Sequence, residues 1–152
     1  MQIKLKKKEL TPKLAAFNAI LTADIRPNAF VEYWAVSNRK ILAAKVEEIE
    51  AVEKSQLKDF YLARQSLNEK LSDKDEAGKP IIDHGQYKMT DTDTYVKEYN
   101  EMALNFKTEL EGFNAFLDEE ITVELETIEL KKIENLEFAR GVVLELYDLV
   151  TK

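Results

Sequence analysis

Apolar and polar residues alternate at the start of the chain. Ile3 and Leu5 fall on one side of residues 2–7 and lysines on the other, the two-residue period of a half-buried strand near a sheet edge. Thr11-Pro12 then predicts a helix start, with threonine as cap and proline at the first helical position. Leu14, Phe17, Ile20 and Leu21 share one face of that short helix, which ends near Ala23. Residues 24–27 read as a connector, because the residue before Pro27 is pushed out of helical geometry. From Asn28 to about Leu71 the spacing becomes helical, through Val31, Trp34, Ile41, Leu42, Val46, Ile49, Val52, Leu57, Phe60, Leu67 and Leu71, with no glycine or proline between. Unbroken, that helix would be roughly 65 Å long at about 1.5 Å per residue. Such a length predicts either a bend near Ser37-Asn38 or Ser55, or a projecting helix that packs against a partner.

The segment 73–89 breaks this pattern and holds two of the four glycines and the one histidine. Residues 75–78 close the long helix. Lys79–Asp83 and Gln86–Met89 read as two short strands around His84-Gly85, a small β-hairpin. Thr90-Asp-Thr-Asp93 opens a further helix in the manner of a capping box. Tyr95, Tyr99, Met102, Ala103, Phe106, Leu110 and Phe113 form its apolar face, with Gly112 near its end. Ile121, Val123 and Leu125 alternate as a strand that extends through Ile128 and Leu130 if a bulge intervenes. Asn135 is placed to cap a last helix carrying Phe138, Val142, Leu146 and Leu149. The expected fold is a single domain over 1–152 of the α+β class, mostly helical. It has a long central helix, a small β-hairpin and a short sheet pairing the N-terminal strand with a strand near 121–127.

Length and composition agree with that picture: 152 residues suit one domain, and a 45% hydrophobic content supplies a core. The net charge of −7 argues against a general nucleic-acid binder and against an electrostatic membrane anchor. The charge is uneven. Lys4, Lys6, Lys7 and Lys8 make the start basic, whereas Glu109 to Glu137 is strongly acidic, which suits either a head-to-tail contact between subunits or a mixed solvated surface. The absence of cysteine excludes disulfides, thiolate nucleophiles and cysteine-ligated metals. Neither a signal-peptide pattern nor a membrane-length apolar run is present, so a cytoplasmic protein is expected.

Candidate chemistry is sparse. Asp73-Lys-Asp75-Glu-Ala77-Gly78 resembles the opening of a calcium loop, but Ala77 and His84 fall where oxygen ligands belong, and the segment is read as a plain solvated turn. His84 could act as an acid or base only beside a nucleophile or metal, and a lone histidine builds neither a typical zinc nor a non-haem iron site. Carboxylates recur at Glu47-Glu48, at Asp91 and Asp93, and at Asp118-Glu119-Glu120. Glycosidase-type chemistry would need two facing each other, while solvation and helix starts account for them otherwise. No phosphate loop, nucleophile elbow or dinucleotide fingerprint occurs. No catalytic residue, metal ligand or cofactor is therefore assigned. The aromatic group Phe30, Tyr33 and Trp34 admits two readings: core packing, or an anchor for a protein partner with Arg26, Arg39 and Lys40 as its rim. Phe30, Tyr33, Trp34 and Arg39 are accordingly the candidate partner-binding residues.

The ordered segments Ile3–Leu10, Asp75–Pro80, Tyr95–Met102, Ile121–Leu130 and Leu146–Leu149 together resemble a family of small, functionally uncharacterised proteins encoded by tailed bacteriophages. The family's basic segment at the opening of the long helix is represented here by Ser37-Asn-Arg39-Lys40, displaced along that helix. The resemblance implies a phage origin and transfers no catalytic residue. The expected function is a non-enzymatic phage-encoded protein acting by protein–protein contact, as a virion or assembly component in the host cytoplasm or in the virion. Two alternatives stay open. One is a host-directed inhibitor of a defence enzyme, whose acidic last third would imitate nucleic acid. The other is a metal-dependent hydrolase using Asp73–Asp93. The expected partner is a phage or host protein or a second copy of the chain, with neither nucleic acid nor membrane.

Overall fold

The computed structural model describes residues 1–23, 27–133, 136–138 and 140–151. The expected connector over 24–26, Arg26 beside the aromatic group and the Asn135 cap lie outside the described residues. The elements begin with β1 (Gln2–Lys6), α1 (Leu10–Leu21), α2 (Ala29–Gln56), α3 (Lys58–Leu71), β2 (Ile82–Asp83) and β3 (Gln86–Tyr87). They continue with α4 (Thr92–Leu104), α5 (Lys107–Asp118), β4 (Glu120–Glu124), β5 (Ile128–Glu129), α6 (Arg140–Leu146) and β6 (Val150–Thr151). The architecture is α+β and mostly helical, as the periodicities predict. The chain forms two compact units, one of Met1–Ala51 with Ala115–Lys152, the other of Val52–Asn114.

In the first unit β1 and β4 pair antiparallel in the expected partnership, from Gln2 opposite Glu124 to Lys6 opposite Glu120. Leu5 and Val123 are buried and the lysines of β1 exposed, so the alternation does set the inward face. The ladder continues where Met1 and Leu125 exchange hydrogen bonds. Three of the four lysines of the basic start are paired within the chain: Lys6 and Lys8 meet Asp118 at 3.3 and 2.7 Å, and Lys7 meets Glu119 at 2.5 Å. Lys8 first, then Lys6, hold the Asp118 carboxyl below its ordinary value of 3.8. A carboxylate with a depressed pKa stabilises the fold at pH values above its unfolded pKa and loses that contribution as pH falls through the folded one. An NMR titration should therefore place the Asp118 midpoint below 3.8, and Lys8→Met should move it upward.

Helix α1 starts one residue before the expected cap. Thr11 and Pro12 lie inside its first turn, where a proline without N–H removes no intrahelical bond. The Glu9 carboxylate accepts from the Lys6 N–H at 2.7 Å and closes the 3-10 turn that leads in. Asn28 caps α2 by accepting from the N–H groups of Phe30 and Val31, both at 3.1 Å. The expected bulged strand through Ile128 and Leu130 does not form. After β4 the backbone of Glu126 leaves the ladder, because Asn38 of α2 takes both its groups: the Asn38 amide donates to Glu126 O at 2.9 Å, and its oxygen accepts from Glu126 N–H at 2.8 Å. Beyond this point β5 pairs in parallel with β6, Ile128 opposite Val150. Between them, Leu5, Leu10, Phe17, Ile20, Val31, Trp34, Leu42, Val123, Leu125 and Leu149 make up most of the core of this unit.

In the second unit the long helical pattern is interrupted at Leu57, which ends α2 and leads into α3. The interruption lies two residues beyond Ser55, one of the two expected bend positions, and Leu57 is itself buried. The helix expected through Phe113 is likewise divided. Asn105 and Phe106 donate to carbonyls three residues back, a tighter turn that separates α4 from α5, and Gly112 lies inside α5 rather than near an end. Of that helix's expected apolar face, Phe113 is buried and the rest are half-buried. Phe60 gathers the rings of Tyr61, Tyr99 and Phe106 at 5.6, 6.5 and 5.7 Å, and the Tyr95 hydroxyl donates to Asn68 at 2.8 Å. The hairpin of β2 and β3 turns through His84 and Gly85, whose φ of 48° and 78° match a two-residue turn of the primed type.

Candidate functional site

A groove of about 450 Å³ lies in the first unit. Its described lining includes Ile20 of α1, Trp34 of α2, Leu130 and Ile133 of the turn after β5, and Val143 and Tyr147 at and just beyond α6. These elements meet because α1 packs along α6. The contact is tied by Lys13, 5% exposed, whose ammonium reaches Glu145 O at 2.5 Å and the Asp148 carboxylate at 3.1 Å. Asp148 is the ionised side chain among the described lining residues, and Lys13 already balances it. The inner residues of α6, Val142 and Leu146, face the groove floor, while Val143, Leu144 and Tyr147 stand 48%, 65% and 76% exposed. A pocket this size with mainly apolar walls is suited to receiving apolar groups.

The aromatic residues singled out in the sequence divide between the core and this surface. Trp34 is not an exposed anchor: it is 4% exposed, packs edge-on to Phe17 at 5.0 Å, and donates its indole N–H to Glu126 O at 2.8 Å. It nevertheless contributes to the groove wall. Phe30, one turn earlier on the same face, is 68% exposed because it lies in the first turn of α2. Its ring lies 5.0 Å from the Lys132 ammonium, next to Ile133 of the groove, and Asn28 donates to Lys132 O at 3.3 Å. Tyr33 is also 68% exposed and Val36 47%, so Phe30, Tyr33 and Val36 form an exposed apolar stripe at three-residue steps. Arg39 is turned to α1, where its Nε–H donates to Asn18 at 2.7 Å. The sequence reading missed the lining contributed by Leu130, Ile133 and α6, where no single residue type marks convergence. It also missed Asn38, a polar residue in the buried phase of α2.

The acidic turn is organised by its own backbone. Asp73 accepts from Thr90 N–H at 3.1 Å and Thr90 Oγ1 at 2.7 Å, and these bonds hold its carboxyl below the ordinary value. Asp75 accepts from the N–H groups of Ala77 and Lys79, and Asp91 from that of Thr94 at the start of α4. The carboxylates that a metal-loop reading would recruit are thus turn and helix acceptors. Among the described residues no group of three or more histidine, aspartate or glutamate side chains is placed to hold a metal ion. His84 is exposed, with Nδ1 2.7 Å from Asp83. No helix among the described residues is long and apolar enough to cross a membrane. Comparison with protein-family models, curated proteins and solved structures finds no match.

Proposed function

We propose that this protein is non-enzymatic and acts by protein–protein contact, as a virion or assembly component of a tailed bacteriophage. The observation that supports contact is the groove, of whose lining residues Leu130, Val143 and Tyr147 are exposed, together with the exposed Leu144 of α6 and Phe30 of α2. Exposed apolar side chains gathered at one place, with tyrosine and phenylalanine among them, are the usual composition of a binding surface. The phage setting rests on the family resemblance alone. A photoreactive phenylalanine analogue at Phe30 or Tyr147 tests both parts during phage growth. Cross-linking to a phage structural protein, lost in Leu144→Glu, is the expected result. Cross-linking to a host enzyme would replace this reading with the inhibitor reading. Absence of any cross-link from either position would overturn contact through this surface.

A further inference from the structure

We infer that the open edge of β4 receives a third strand, an extended segment of a partner protein in which apolar residues alternate with lysine or arginine. This edge shares no lining residue with the groove beside α6 and does not rest on the contact reading of that groove.

The ladder fixes which backbone groups are open. Met1 and Leu125 exchange hydrogen bonds, and the Lys7 N–H donates to Glu119 O at 3.1 Å. In an antiparallel pair such residues alternate with ones whose groups point outward. The register therefore turns the N–H and C=O of Glu120, Thr122 and Glu124 away from β1, and no described residue bonds to them. Glu126 belongs to the same outward set. Asn38 takes both of its groups, which places α2 on the open side of β4 and closes that end of the edge. Farther along α2, Ile41 and Lys45 line a cleft of about 530 Å³ whose other wall includes residues 122–126. Consecutive strand residues point to opposite faces, so a cleft lined by five in a row runs along the backbone edge rather than over one face.

The two outer edges of this sheet are not equivalent. On β1, Lys4 and Lys6 guard the edge, and the Lys6 N–H is already taken by Glu9 at 2.7 Å. On β4 the exposed side chains are Glu120, Thr122 and Glu124, while Ile121 and Val123 face inward. Across the ladder Glu124 meets the uncharged Gln2, Lys4 meets Thr122, and Lys6, opposite Glu120, is held by Asp118 at 3.3 Å. In the cleft Lys45 is held by Glu48 at 2.8 Å. Basic side chains on an added strand therefore find two carboxylates directly opposite. Its apolar side chains fall on the face of Ile121 and Val123, with Ile41 of α2 lining the same cleft. Main-chain bonds supply the affinity of such an added strand, and the alternation supplies the choice of partner.

A capped peptide of alternating lysine and valine, about nine residues long, is the probe, added to the isotope-labelled full chain. Amide exchange at Thr122 and Glu124 should slow at least about tenfold at saturation, while Ile121 and Val123, already bonded to β1, change little. In antiparallel addition, the more stable arrangement per residue, the lysine N–H groups point at β4. N-methylation of the lysines should therefore abolish binding, and N-methylation of the valines should leave it. A peptide of alternating glutamate and valine should bind at least about tenfold more weakly. Every change is made in the peptide, so the fold of the protein is untouched. Unchanged exchange at Thr122 and Glu124 in excess peptide overturns the inference, as does binding that survives N-methylation of the lysines. A chain that runs at twice its 17.6 kDa mass, and that the peptide dissociates, would assign the edge to a second copy and overturn a foreign strand.

Discussion

Phe17→Ala should cost about 3–5 kcal/mol, a fall in Tm of roughly 10 °C or more for a chain of this length. Phe17 is wholly buried in α1, and its ring meets Trp34 edge-on at 5.0 Å with an interplanar angle of 73°. Truncation removes both the transfer energy of the ring and a favourable aromatic contact, and leaves a cavity that the surrounding helices fill only in part. Because Trp34 is a wall of the groove, its fluorescence should also shift before the unfolding transition is reached. Phe17→Leu keeps much of the volume and should cost about 1–2 kcal/mol. Urea titrations of the two variants check the order. Equal losses, or a loss below about 1 kcal/mol for alanine, would mean that α1 is not packed on α2 as described.

Asn38→Ala should cost about 2–3 kcal/mol, although it deletes only a small polar side chain. Its two bonds satisfy both backbone groups of Glu126, and Asn38 is completely buried. Without it the Glu126 N–H loses its partner, while the carbonyl keeps only the Trp34 indole at 2.8 Å. Asn38→Asp separates the two bonds. Aspartate retains the acceptor for the N–H but turns a second acceptor on the Glu126 carbonyl, so it should destabilise at least as much as alanine. Thermal melts of both variants, together with hydrogen exchange at Glu126, read this out. Retention of full stability by Asn38→Asp would mean that the donated bond contributes little.

These two residues also show what the sequence could reveal. Phe17 was legible, because it repeats at helical spacing with Leu14 and Ile20 and those residues make an apolar face. The β1–β4 pairing was legible as well, since Ile3, Leu5, Ile121 and Val123 alternate with polar residues. Asn38 carried a signal that was not used: it sits in phase with Val31, Trp34 and Leu42, where a polar side chain must have a partner. Its partner lies 88 residues away, and no local pattern names it. The interruptions at Leu57 and Asn105 had no glycine or proline to mark them, so they reflect tertiary packing rather than local preference. The β5–β6 pair is two residues on each side, too short for a period to register. The groove was hidden for the same reason as Asn38's partner. Trp34 lay within the candidate group, but the segments that face it converge only in three dimensions. Phe30 and Trp34 have similar chemistry and opposite exposure because one lies in the first turn of α2 and the other a turn deeper.

The pairing of β1 with β4 has a consequence for synthesis on the ribosome. Lys6 lies opposite Glu120, a separation of 114 residues. At about 5–20 residues per second, the first strand is made roughly 6–23 s before its partner. Throughout that interval its backbone donors and acceptors are open to any other nascent chain. Lys4 and Lys6, followed directly by Lys7 and Lys8, give the waiting segment a positive charge that repels a like segment emerging nearby. When Asp118 and Glu119 arrive, their carboxylates pair with Lys6, Lys7 and Lys8 as the ladder closes. Lys6, Lys7 and Lys8 thus guard the strand during translation and fasten it afterwards.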